Sequence, residues 1–164
     1  FITKFTDLDR CFAQMRLPVE GGHELILINS HMSAYDEGGT IRARQLELLN
    51  SVIAEEYAKG NYVIVGGDFN HAMGEEVAEF PAWVAVLTED DLVDGVRIMR
   101  ADNELEVPTC RGADIPYTKG VNYTTVVDGF LVTDNVRATA ENIDTDFAWS
   151  DHNPVRLRFE LIEN

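Results

Sequence analysis

Two glycines, an acid and an amide close the apolar stretch "NYVIVGGDFN", so Asp68 and Asn70 stand where a buried segment emerges into water. Three other places share that character: His31 ends "HELILINSH", Asp128 lies inside "TTVVDGFLV", and Asp151 and His152 are adjacent in "WSDHNPV". Imidazoles and carboxylates are the groups of proton transfer and divalent-metal binding. A neutral imidazole serves as a base near neutral pH, and a neighbouring carboxylate fixes its tautomer and raises its pKa. Mg²⁺ is held by carboxylate and water oxygens.

Each motif alone also has an ordinary structural reading. Gly, Asp and Asn all suit a turn at "GDFN", His31 alone suits a surface or satisfied core position, and "SDH" suits a polar turn. Asp128 is the exception: a lone carboxylate among apolar residues is costly and calls for a positive or hydrogen-bond-donating partner. Arg111 and Lys119, in "TCRGADIPYTKG", are candidates to bind an anionic substrate, and that stretch equally suits an exposed loop. His23 and His71 have no second signal, and the acidic clusters "GEEVAE" and "TEDDLVD" read as solvated faces.

The elements that must position these residues follow from hydrophobic patterning. The segment around Cys11 to Glu20 reads as a first strand, turned by "EGG" into "HELILINSHM", whose consecutive Leu and Ile suit a strand covered on both faces. Thr40 can cap a helix to about Lys59, with Leu46, Leu49, Ile53 and Tyr57 on one face and Gly60 at the stop. "NYVIVGG" is the next strand. Strand, helix, strand is a right-handed crossover between parallel strands, so His31 and Asp68 emerge at one sheet edge, where ligands sit on open α/β sheets. Asn122 to Val136 reads as a later strand carrying Asp128, and "PVRLRFELI" alternates as a strand packed on one face. If these late strands run antiparallel to the first two, Asp128, Asp151 and His152 reach the same edge.

Composition bounds the rest. A chain of 164 residues with 45% hydrophobic content suits one core, and no repeat or linker divides it. The net charge of -16 disfavours polyanions and favours divalent cations. Apolar runs such as Leu25 to Ile28 fall far short of the roughly 20 residues of a membrane-spanning helix. Cys11 and Cys110 form neither a CxxC pair nor a disulfide framework. The opening "FITKFTDLDRCF" has no initiator Met or signal pattern and reads as the interior of a longer chain.

In their order, "NSH", "GGDFN", "VVDGFLV" and "SDHNPV" make the chain resemble the endonuclease/exonuclease/phosphatase superfamily, the deoxyribonuclease-I-like fold, from about Arg10 to Leu161. The resemblance is to the carboxyl-terminal half only, so residues 1–164 are expected to be that part of one domain. It implies an α/β fold, a mixed β-sheet with helices on the outer face, corresponding to one half of a four-layer α/β/β/α sandwich. It also implies roles. His31 looks like the histidine that hydrogen-bonds phosphate or protonates the leaving oxygen, and Asp128 like the carboxylate orienting it. Asp68 resembles the acid that positions or activates water, with metal-ligand duty as well, and Asn70 the amide that holds a phosphate oxygen. His152 is similar to the general base and Asp151 to a metal-binding acid.

The implied activity is divalent-metal-dependent phosphoester hydrolysis, with Mg²⁺ or Mn²⁺, water attacking phosphorus and His/Asp acid–base catalysis. Fold does not choose the substrate, and the net charge favours a small phosphoester or lipid head group over long nucleic acid. The alternative is a catalytically silent half-domain or phosphoester-binding module, since the family's upstream metal-binding Glu has no counterpart before residue 29. The expected partners are the amino-terminal half of the same protein or, with the inner sheet face bare, a second copy packed sheet to sheet.

Overall fold

A computed structural model describes residues 10–34, 36, 38–73 and 85–162. The cluster "GEEVAE" lies outside the described residues. Strand β1 (Phe12–Pro18) turns through Glu20–Gly22 into β2 (Glu24–His31), and helix α1 (Thr40–Ala58) crosses over to β3 (Tyr62–Asp68). Then come β4 (Val96–Met99), β5 (Cys110–Arg111), β6 (Thr124–Thr125), β7 (Asp128–Thr133), β8 (Val136–Asn142) and β9 (Val155–Leu161). The main sheet has the order β1-β2-β3-β7-β4, with β2 and β3 parallel and the remaining neighbours antiparallel. The chain is therefore α/β with a mixed sheet and, among the described residues, one α-helix.

The alternation of each central strand sends its side chains into two layers. Ile26, Ile28, Val63, Val65 and Leu131 face α1, where Leu46, Leu49 and Ile53 complete the first core. Leu25, Tyr62, Ile64 and Val132 face the other way and are packed by Val136, Leu157 and Leu161 of the β8–β9 hairpin. That hairpin corrects the expectation of a bare inner face: it covers the side nearest β3 and β7. The open part lies toward the β1 edge, where Met15 and Leu17 are exposed.

Two local expectations also change. Thr40 begins α1 without capping it; the cap residue is Gly39, and the Asp36 carboxylate accepts the N–H groups of Ile41 and Arg42 at 2.7 and 2.8 Å. Left-handed Gly38 and Gly39 fold the chain back so that Asp36 reaches those donors. The expected strand from Asn122 to Val136 is interrupted at Val126 and Val127, whose carbonyls accept from Met73 and Phe69 at 2.9 Å each, and ends at a turn before β8. The interruption docks the segment after β3 onto the approach to Asp128. Tyr57 is only half-buried, at the margin of the helix face expected from the sequence.

Candidate active site

Strand register assembles the site. His31 pairs with Asp68 across β2 and β3, and Asp68 pairs with Asp128 across β3 and β7, so three titratable groups line one sheet edge. The glycines before Asp68 permit this. A Cβ on Gly67 would lie 1.9 Å from the Ser30 carbonyl oxygen, and one on Gly66 would meet the Phe130 ring at 2.9 Å. Only bare backbone fits between β2, β3 and the ring.

Asp68 is the hub. Its Oδ1 accepts the Asn70 N–H at 2.8 Å, a turn that holds Asn70 in a left-handed conformation. Its Oδ2 lies 3.3 Å from His31 Nε2 and 3.9 Å from His152 Nε2. Burial pushes the Asp68 carboxyl up, and the charge of Asp128 pushes it further, against the Asn70 N–H and the two imidazoles. The Asn70 amide donates to the Met32 carbonyl at 2.9 Å and retains a second N–H.

His152 Nδ1 lies 2.7 Å from Asp128 Oδ2, and Nε2 faces Cys110 Sγ at 3.5 Å. The hydrogen bond to Asp128, then the one to Cys110, raise the imidazole from 6.5 to about 11. Asp128 therefore has the partner its apolar setting demanded. That partner is His152, where the resemblance implied His31, because Asp68 in β3 stands between β2, which carries His31, and β7, which carries Asp128.

Among the described residues, Asp68, Asp128 and His152 bring one ligand atom each within 4.8 Å of one another. Two carboxylates and an imidazole fit a divalent cation, the carboxylates suiting a hard ion such as Mg²⁺ and the imidazole widening the choice. Asp151, expected as a metal ligand, is exposed and outside that group; its carbonyl accepts the Arg111 N–H at 3.0 Å. The Arg111 guanidinium bonds to the carbonyls of Gly112 and Ile115 and lies over the Tyr117 ring, within its own loop, and Lys119 is exposed in the same loop. Sequence reading passed over Cys110, which lacks a CxxC partner, and Thr109, a buried residue with no local signal.

No protein-family model matches the chain, and no curated protein matches it. Solved structures do match. A truncated TDP2 of Caenorhabditis elegans aligns with 92% of this chain and 59% of its own length, at 21% identity and a TM-score of 0.60. D. rerio TDP2 complexed with single strand DNA product aligns with 92% of this chain and 62% of its own, at 19% identity and a TM-score of 0.61. A mannosyl-6-phosphatase of Bacteroides thetaiotaomicron aligns with 93% and 57%, at 16% identity and a TM-score of 0.59. The fold is thus the deoxyribonuclease-I-like fold of endonuclease/exonuclease/phosphatase proteins, and the chain spans about three-fifths of the length of these three.

Proposed function

We propose that this chain carries the acid–base and metal-holding edge of a divalent-metal-dependent phosphoester hydrolase. The observation that supports this best is the in-register convergence of His31, Asp68 and Asp128, with His152 held on Asp128. Asp68 and Asp128 would hold Mg²⁺ or Mn²⁺, with Asp151 contributing through water. A bound divalent cation neutralises the phosphate and lowers the pKa of water.

The chain's own groups do the rest. Asp68 orients the attacking water, and the second Asn70 N–H is offered to a phosphate oxygen. Asp128 holds His152 through Nδ1, so Nε2 would be the atom that exchanges a proton with the reacting oxygens. His31, half exposed beside Asp68, donates to phosphate or to the leaving oxygen. Arg111 and Lys119 sit on the loop adjoining Asp151, where they would meet an anionic substrate.

The net charge of -16 favours a small phosphoester or lipid head group over a long polyanion. The structurally similar proteins span both kinds, a TDP2 with single strand DNA product and a mannosyl-6-phosphatase. The open inner face beside Met15 and Leu17 is the surface on which the rest of a sandwich would pack, supplied by a further part of the same protein or by a second copy. The test is hydrolysis of an aryl phosphodiester and an aryl phosphomonoester by this chain and by its full-length parent, with Mg²⁺, with Mn²⁺ and with chelator. Metal-dependent turnover abolished by His31→Ala and Asp128→Ala supports the proposal. Turnover unaffected by chelator or by both substitutions overturns it, and retained phosphoester binding without turnover favours a binding module.

A further inference from the structure

The segment Pro108 to Cys110 reaches both halves of the Asp128–His152 pair, and Thr109 is its centre. Thr109 is fully buried. Its hydroxyl oxygen accepts two main-chain N–H groups, from Val127 at 3.0 Å and from Asp128 itself at 3.1 Å. Its carbonyl accepts the Asn153 N–H at 2.7 Å, one residue beyond His152, and its own N–H donates to Thr125 at 3.0 Å. Pro108 and Cys110 flank it with further bonds: Asn153 Nδ2 donates to the Pro108 carbonyl at 2.9 Å, and Cys110 forms a β-bridge with His152.

The two donors fall where the ladder fails. Val127 lies in the interruption and Asp128 opens β7 beyond the last β4 partner at Phe130, so their N–H groups take an acceptor from outside the ladder, and an unmet buried N–H is costly. A hydroxyl oxygen has two lone pairs and takes both. Asp128 is thereby fixed through its main chain, and the carbonyl of the same residue fixes the strand bearing His152. We infer that Thr109 is a positioning residue that sets the distance and angle between the Asp128 carboxylate and His152 Nδ1. The inference rests on the reading of Asp128 and His152 as the proton-handling pair proposed above.

Thr109→Val preserves shape and removes the acceptor; Thr109→Ser preserves the acceptor and removes a methyl group. The two variants are made in the full-length protein and compared by thermal unfolding, by turnover, and by the downfield proton resonance of the His152 Nδ1–H, assigned by its loss in His152→Asn. The resonance needs no turnover. The expected result is that Thr109→Val shifts or broadens it and lowers kcat about 10- to 100-fold with KM nearly unchanged, as a misplacement of about an ångström does. Thr109→Ser retains both signals. An unperturbed resonance in folded Thr109→Val, or equal losses in the valine and serine variants, overturns the inference. Should the valine variant not fold, Thr109→Cys, similar in volume and a poor acceptor, is held to the same two outcomes. If the full-length protein has no phosphoesterase activity, the resonance still decides the role of Thr109; if activity is present and the resonance is indifferent to the valine, the role of Thr109 alone is refuted.

Discussion

Replacing Asp128 with asparagine leaves the volume of the side chain almost unchanged and removes the charge that His152 Nδ1 meets at 2.7 Å. In the native protein that contact, with a smaller contribution from Cys110, raises the imidazole from 6.5 to about 11. A rise of that size is an upper bound of about 6 kcal/mol. The His152 side chain is 32% exposed and that of Asp128 15%, so solvent screening reduces the coupling to about 2–3 kcal/mol.

The sign follows from linkage. A histidine whose folded pKa lies above its unfolded value stabilises the fold fully below pH 6.5, and the contribution fades as pH rises through about 11. Asp128→Asn should therefore return His152 toward 6.5 or below, since burial without a charged partner favours the neutral ring. The stability gap between the two proteins should be widest in mildly acid solution and narrow in alkali. The Asp68 carboxyl, held up in part by the charge of Asp128, should fall in the variant. Histidine ¹⁵N shifts followed across the pH range, with denaturant unfolding at about pH 6 and about pH 9.5, read these effects. A native His152 that titrates at its ordinary value, or one indifferent to the Asp128→Asn substitution, would refute the reasoning.

The remaining predictions concern other parts of the chain. Buried Glu56 accepts from Arg16, Lys59 and Asn61, and chiefly the Arg16 bond lowers its carboxyl to about 2. Its contribution is present above pH 4.5 and lost as pH falls toward 2; with Arg16 43% exposed, Glu56→Gln should cost about 1–2 kcal/mol near neutral pH and little in acid, by urea unfolding. Gly67→Ala drives a Cβ into the Ser30 carbonyl at 1.9 Å and should cost about 3 kcal/mol or more by chemical denaturation, and an alanine variant of native stability would contradict the close approach of β2 and β3. Trp149 is 88% exposed and three residues before His152, so under the proposed function it would contact substrate; Trp149→Ala should change stability by less than about 0.5 kcal/mol and raise KM with kcat retained.

The crossover from β2 through α1 to β3 was legible because its signals are local: a four-residue apolar run, a helical stripe of leucines and isoleucine, and glycines at the turns. Parallel pairing then places His31 and Asp68 together, as the register has it. What escaped the sequence depends on contacts between distant segments. The pairing of Asp128 with His152 follows from β7 lying beyond β3, and the cap at α1 comes from Asp36 because two left-handed glycines reverse the chain there. The break at Val126 and Val127 serves Phe69 and Met73, some fifty residues earlier. Thr109 has no pattern at all; its role exists only once β7 needs an acceptor.

The register of β3 against β7 works against stability. Asp68 and Asp128 lie directly opposite each other in adjacent strands, an arrangement that repulsion makes unfavourable. The surrounding residues answer that repulsion with imidazoles on both sides: His31 and His152 near Asp68, and His152 on Asp128. A fold seeking only stability would replace either acid with an apolar residue like Val63, Val65, Leu131 and Val132 of the same strands. Two facing carboxylates on a sheet edge, backed by imidazoles and left partly open to water, are what the proposed function would use to hold positive charge and move protons.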